Sequence, residues 1–223
     1  HRAAATQASW SRLVDAWSNP ATKPANLKLA SRAYWKLEEI MSSCVLPYPK
    51  RSVHLCESPG GFVQATSQRA PPNWTWIALS LNDQGSPTPF LDALPMDRGR
   101  FVDGDVMDVA LCERLFEKGT ADLVTADGAH RVQHDSLEED HFDLLLAQTR
   151  VALHALAPGG TFILKFFEGA QKNTLQLIAF LTHVFESLSV IKPVSSRVTN
   201  SERYVVGRNF TGGDEGVQIA HVT

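Results

Sequence analysis

Apolar residues recur in two rhythms along this 223-residue chain. Two N-terminal stretches, Ala5–Trp17 and Ser31–Cys44, read as helices, the second with Ser31 as its N-cap, and a Pro-containing stretch from Asn19 to Asn26 separates them. From Ser52 onward, short β-rich runs alternate with amphipathic stretches, which predicts a parallel sheet covered by helices. The predicted strands are Ser52–Cys56, Trp74–Leu79, Phe101–Val102, Leu123–Ala126, Thr161–Phe166, Leu188–Ile191 and Tyr204–Gly207. Between them the clearest helices are Leu111–Lys118, Ser136–Ala157 and Ala170–Phe185. In the long one, Leu137, Phe142, Leu145, Leu146, Thr149, Leu153 and Leu156 line one face, which marks core rather than a site. Gly159-Gly160 then break it before the next strand. Asn82–Arg100, rich in Pro, Gly and Asp, reads as a loop, and Asn209–Thr223 as a frayed tail.

Composition narrows the class. With 43% hydrophobic and 20% charged residues, the chain is long enough for one substantial core. No run approaches the roughly eighteen apolar residues of a membrane span, and no secretory signal opens the chain. The expectation is a soluble intracellular protein of the cytoplasm or nucleus. Because the chain begins with His1 rather than Met, it reads as a processed product or a domain cut from a longer polypeptide. Cys44, Cys56 and Cys112 are odd in number and lack metal-ligand spacing, so they are expected to be buried thiols, with no metal site.

Charge is unevenly spread. The first 51 residues carry eight Lys and Arg against three acids, a segment of +5 in a chain of net −3, which leaves −8 for the rest. A basic segment on an acidic body suits a phosphate-binding surface, since Lys and Arg displace the counterions condensed on nucleic acid. A solvated helical face explains the charge equally well.

Candidate chemistry lies at the predicted strand ends. Glu57-Ser58-Pro59-Gly60-Gly61-Phe62 follows the first strand of the sheet and leads into a helix, where glycines let backbone amides approach a nucleotide-like ligand. It is neither a phosphate loop ending in Gly-Lys-Ser/Thr nor a three-glycine dinucleotide fingerprint. Asp103-Gly104-Asp105-Val106 and Asp127 close two further strands, placing carboxylates where an adenine amino group or a ribose could be bound. Each feature alone is also a routine turn or cap residue.

Taken in order, the motifs resemble the FtsJ-like (RrmJ-fold) ribose 2'-O-methyltransferases. The resemblance runs from Ser31 to Arg208 through Ser31-Arg32-Ala33-Tyr34-Trp35-Lys36-Leu37, Cys56–Phe62, Val124-Thr125-Ala126-Asp127-Gly128, Gly159–Lys165, and Lys192-Pro193 through Ser201-Glu202-Arg203-Tyr204-Val205-Val206. It implies a Rossmann-like S-adenosylmethionine-dependent fold with a mostly parallel seven-stranded sheet: an N-terminal helical extension (1–50), a methyltransferase domain (51–208) and a tail (209–223). It implies a catalytic tetrad of Lys36, Asp127, Lys165 and Glu202. S-adenosylmethionine is the implied cofactor, held by Glu57, Ser58, Pro59, Gly60, Gly61, Phe62, Ser80, Asp105, Val106 and Asp127. Where many members carry an acid for the cofactor ribose, this chain reads Ser80-Leu81-Asn82-Asp83, so that contact stays open between Ser80, Asn82 and Asp83.

A ribose hydroxyl becomes nucleophilic only as its proton is drawn away, while the methyl group needs in-line positioning. Lys165 is the expected base. Asp127 and Glu202 are expected to orient the two lysines. The His-Leu-Cys-Glu-x-Pro-Gly and Thr-Ala-Asp-Gly forms look most like the messenger-RNA cap branch, so the expected partner is the capped 5' end of mRNA, with other domains of a longer polypeptide possible. Lys28, Arg32, Arg197 and Arg203 are the expected RNA contacts, and Tyr34 and Trp35 could stack a base, although core packing is the expected use of both. Methylation of ribosomal or transfer RNA and a catalytically silent RNA-binding module are the rival readings.

Overall fold

The computed structural model describes residues 28–82, 92, 94–129, 137–167, 172–197 and 200–212. The helix expected over Ala5–Trp17 lies outside them. In chain order the elements are α1 (Ala33–Ser43), β1 (Arg51–Leu55), α2 (Gly61–Ser67), β2 (Thr75–Ser80), β3 (Gly99–Asp103), α3 (Val109–Leu115), β4 (Ala121–Ala126), α4 (Leu137–Ala155), β5 (Leu156–Phe167), α5 (Lys172–Val184), β6 (Phe185–Ile191) and β7 (Glu202–Phe210). The seven strands form one sheet in the order β3-β2-β1-β4-β5-β7-β6. All neighbouring pairs are parallel except those of β7, which runs antiparallel to both β5 and β6. The α/β expectation of a mostly parallel seven-stranded sheet flanked by helices is met.

Strand alternation assigns the two faces. On one, Leu123, Ile163, Tyr204 and Val206 pack beneath Tyr34, Leu37, Ile40 and Met41 of α1 and Phe62 and Ala65 of α2. On the other, Val53, Val124, Phe162, Leu164 and Val205 meet α4 and α5 in the larger core. Central β1 is buried from Ser52 to Leu55, as a parallel strand covered on both faces must be.

Several boundaries differ from the sequence expectation, each for a local reason. The long helix stops at Ala155 because Gly119 and Thr120 take its last carbonyls, those of His154 and Ala155, and Leu156 already pairs with Ala121. Gly159 (φ +83°) therefore lies inside a register shift of β5, not at a helix end. Strand β3 begins at Gly99, within the expected loop, where a side chain would come within 2.3 Å of the Trp76 carbonyl. Helix α3 starts earlier than Leu111 because Asp108 caps it, accepting from Leu111 N at 2.9 Å. Phe185 opens β6 instead of ending a helix, and β7 runs to Phe210, two residues into the expected tail, where Phe210 packs against Phe185 at 5.4 Å. Helix α1 is assigned from Ala33, and the Ser31 hydroxyl still accepts from Ala33 N at 3.2 Å, as a cap does.

Candidate active site

The parallel strands all end at one rim, and antiparallel β7 begins there. From β1 the chain moves outward to β2 and β3, then returns to β4 and β5 on the other side. The crevice between β1 and β4 is therefore the topological switch point where open α/β sheets hold ligands. Glu57 follows β1 and Asp127 follows β4 at that point, with Asp127 N donating to Leu55 O.

Register carries the remaining groups to the same place. Lys165 pairs with Tyr204, and Phe167 with Glu202, so Lys165, Tyr204 and Glu202 share the face beneath α1. From α1, Lys36 Nζ reaches both Glu202 oxygens, at 2.8 and 2.9 Å. Lys165 Nζ donates to the Asp127 carbonyl at 2.5 Å and lies 3.1 Å from Asp127 Oδ1. The four residues expected to form the tetrad thus stand as two ion pairs at one rim, Lys165 and Glu202 only 6% and 4% exposed. Desolvated pairs of this kind cost about 3–5 kcal/mol when one partner is removed, because the other charge stays behind.

Some residues in the site carried no expected role. The Tyr204 hydroxyl, fully buried, donates to Asp127 Oδ1 at 2.8 Å. Burial, reinforced by the Asp127 and Glu202 carboxylates, pushes this phenol well above its ordinary range, so it keeps the proton it donates to Asp127. Ser196 donates to Glu202 Oε1 at 2.8 Å, and Asn200 Oδ1 accepts from Glu202 N, which fixes Glu202 from the segment ahead of β7. Gln64 ties Lys28 and Ala30 to α2 through both ends of its amide. The sequence signal for these was at most a polar residue in an apolar element, and their partners are distant in the chain.

The loop after β1 is built on its own backbone. Glu57 N donates to Leu79 O, Gly60 N to Glu57 O, and Ser58 N to Ser80 Oγ. Gly60 has φ +114°, which disfavours any side chain. Gly61 serves packing: a Cβ there would fall 2.3 Å from Ser31 Oγ and 2.9 Å from Tyr34 N, so the glycine lets α1 approach α2. The Glu57 carboxyl, 4% exposed, accepts from Phe62 N at 2.6 Å and Val63 N at 2.9 Å through Oε1. Burial pushes it up to about 8, against the pull of those two amides and of Lys165.

At the neighbouring strand ends, Ser80 Oγ is engaged by Ser58 N, Asp103 Oδ1 accepts from Asn82 N, and exposed Asp105 accepts from Met107 N. The Val106 side chain is buried in the larger core, so only its main chain could meet a ligand. Asp83 lies outside the described residues. A cavity of about 230 Å³ opens at the opposite end of the sheet, beside Tyr48, Lys50 and Asp122, and takes no part in this rim.

The expected RNA contacts divide. Lys28, Arg32 and Arg197 are exposed, and Arg32 Nη2 donates to Ser195 O at 3.3 Å, while Glu39 accepts from Val194 N and Ser195 N. These bonds bind α1 to the segment 193–197. Arg203 pairs with Phe166, on the sheet face opposite Glu202 and Tyr204, so alternation turns it away from the tetrad. Tyr34 is buried against the core beside Trp35, in an edge-to-face contact at 5.0 Å, which is packing rather than a free stacking platform.

A Rossmann-like sheet with a glycine-bearing loop after β1 and carboxylates at its switch point is the architecture of a methyltransferase. The chain belongs to the FtsJ-like methyltransferase family, whose sequence model matches residues 29–210. It is 31% identical to a probable methyltransferase of African swine fever virus, over 87% of this chain and 53% of that protein. It is also 31% identical to the mouse cap-specific mRNA (nucleoside-2'-O-)-methyltransferase 2, over 85% of this chain and 29% of that protein. The chain thus spans about half the length of the viral relative and under a third of the mouse one. Among solved structures, a ribosomal RNA methyltransferase of Plasmodium falciparum superposes with a TM-score of 0.57 at 22% identity, covering 82% of this chain and all of that one, which speaks for the fold. No helix among the described residues is long and apolar enough to cross a membrane.

Proposed function

We propose that this chain methylates the ribose 2'-hydroxyl of a cap-proximal nucleotide of mRNA, with S-adenosylmethionine as donor. The observation that carries the reading is the pair of ion pairs, Lys36 with Glu202 and Lys165 with Asp127, on one sheet face at the switch-point rim. The likeness to a cap-specific 2'-O-methyltransferase at 31% identity supports the substrate class.

The residues present fit the donor: the second oxygen of Glu57 takes no hydrogen bond among the described residues, and the loop is shaped by Gly60. The loop 57–62, Ser80, Asp105, the Val106 main chain and Asp127 would hold it. S-adenosylmethionine supplies an electrophilic methyl group on a positively charged sulfur. Lys165 is placed to take the hydroxyl proton as the ribose oxygen gains the methyl. Asp127, itself fixed by Tyr204, aims Lys165. Lys36, gripped by Glu202, steadies the ribose oxygen in line, which lowers the entropic part of the barrier. Lys28, Arg32 and Arg197 guide the RNA phosphates.

The test is transfer of labelled methyl from S-adenosylmethionine to capped and uncapped oligonucleotides, with nuclease digestion to locate the label. Label in a cap-proximal ribose, lost in Lys165→Ala, is the expected result. Label only on uncapped RNA would move the substrate to ribosomal or transfer RNA, and transfer that survives Lys165→Ala would end the mechanism.

A further inference from the structure

Glu57 divides its carboxyl between two surroundings. Oε1 accepts from two amides at the start of α2, at 2.6 and 2.9 Å, and so fastens the loop to the helix. Oε2 takes no hydrogen bond among the described residues. The carboxyl is nearly inaccessible, yet it sits where β1 and β4 part, at the crevice that accepts ligands in such sheets. An acid placed there pays the desolvation penalty of its charge without a cation bonded to the second oxygen.

Few charges face it. Asp127, from the end of β4, opposes its ionisation and Lys165, from β5, favours it. Tyr204, from β7, remains a neutral phenol, and Cys56 beside it is a thiol pushed by burial up to about 12. Helix α2 presents the amides of Phe62 and Val63, and β2 presents the Ser80 hydroxyl, which is occupied by Ser58 N. Lys165 is already committed to Asp127. A cationic ligand in the crevice would be the missing partner.

We infer that Glu57 is a charge-responsive positioning residue: a positive group of the donor, its α-ammonium or its sulfonium, meets the free Oε2 and drives the carboxyl from its neutral to its ionised form, releasing one proton to solvent. This rests on the reading of the chain as an S-adenosylmethionine-dependent enzyme. The balance is simple, since the O–H bond of the carboxylic acid breaks, the proton passes to water, and the carboxylate is neutralised by the bound cation. Ionisation also strengthens the Oε1 bonds to the α2 amides, because hydrogen bonds to a charged acceptor are about twice as strong as neutral ones. Donor binding thereby tightens the loop that leads into α2, and with it the Gly61 contact to α1.

The experiment is titration calorimetry of S-adenosylmethionine into the whole chain, in buffers of different ionisation enthalpy. The expected result is release of close to one proton at pH 6.5 and about half a proton at pH 8, read on the unaltered protein. Glu57→Gln, which keeps the acceptor for Phe62 N and Val63 N, binds with no release. S-adenosylhomocysteine separates the two cations: release retained assigns it to the ammonium, release lost assigns it to the sulfonium. Binding without proton release, or release that persists in Glu57→Gln, overturns the inference while leaving the enzyme reading intact. Absence of any donor binding overturns both.

Discussion

The Tyr204 hydroxyl donates to Asp127 Oδ1 at 2.8 Å, the same oxygen that stands 3.1 Å from Lys165 Nζ. Tyr204 and Lys165 are register partners across β5 and β7, while Asp127 arrives from the end of β4, so three strands converge on one oxygen. Burial keeps the phenol protonated well beyond its ordinary range, and its part is to hold the carboxylate still for the lysine. Tyr204→Phe keeps the ring and its packing against Phe62 but removes the donor. Leaving a half-buried acceptor short of one bond costs about 1 kcal/mol. Thermal unfolding should show that loss, and single-turnover methyl transfer should slow with donor affinity little changed. An unaltered rate would show that Lys165 alone positions Asp127.

The second ion pair gives a different expectation. Lys36 and Glu202 come from elements 166 residues apart and grip each other through both carboxylate oxygens. Lys36→Met strands the Glu202 charge, which among the described residues keeps only the Ser196 bond, and should cost about 3–5 kcal/mol. The double variant Lys36→Met/Glu202→Gln should recover much of the stability but none of the methyl transfer. Denaturant unfolding and a labelled-methyl assay on the same preparations separate structural from chemical loss.

How much of this was legible in the sequence depends on the range over which each residue acts. The sheet was, because β-rich runs and amphipathic helices alternate locally and each strand announces itself within a few residues. Lys36, Asp127, Lys165 and Glu202 were singled out by their motifs, and the register of β5 and β7 is what unites them. Tyr204 was hidden because an aromatic at an inward strand position reads as core, and its partner lies 77 residues away. His54 stood in the motif ahead of the loop with no role of its own, and one of its two partners, Thr125, lies 71 residues away. Gly61 was visible as a glycine, but its reason, the closeness of Ser31 and Tyr34, belongs to helix packing that no local pattern encodes. The start of β3 was missed because Gly99 and Arg100 have the composition of a loop and are held as strand by Trp76 and its neighbours.

Gly61 makes that point testable. An alanine methyl there would lie 2.3 Å from Ser31 Oγ and 2.9 Å from Tyr34 N, contacts that must be relieved by moving α1. Since α1 carries Lys36, the strain reaches the site. Gly61→Ala should lose about 1–3 kcal/mol of stability, typical of overpacking, and most of its methyl transfer. Ser31→Gly removes the closest obstacle, so the pair should regain part of both. No rescue by the second substitution would place the damage in the loop instead of at the helix contact.

Two buried titratable groups lean in opposite directions, so their contributions to stability should nearly cancel across mildly acidic pH. His54 lies in a hydrogen-bonded chain in the core: Trp74 Nε1 donates to Ser52 Oγ at 2.9 Å, Ser52 Oγ is 2.8 Å from His54 Nε2, and His54 Nδ1 is 2.8 Å from Thr125 Oγ1. Each ring nitrogen of His54 thus meets a hydroxyl, and the neutral imidazole donates through one and accepts through the other. Burial pushes His54 down to about 3, below the usual value of 6.5. The unfolded chain therefore binds the extra proton between those values, and stability is present above pH 6.5 and lost as pH falls toward 3. Glu57 has the reverse sign. Its folded value of about 8 exceeds the ordinary 4.5, so stability is present below pH 4.5 and lost as pH rises through 8. From pH 4.5 to 6.5 the two slopes, each at most about 1.4 kcal/mol per pH unit, oppose each other. Glu57→Gln should unmask the histidine, so that stability rises with pH up to 6.5 and is flat beyond. His54→Gln should unmask the acid, so that stability declines steadily from pH 4.5 to 8. Urea midpoints at pH 5, 6, 7 and 8 for the three proteins decide the matter, and parallel profiles in all three would show that neither group carries the assigned linkage.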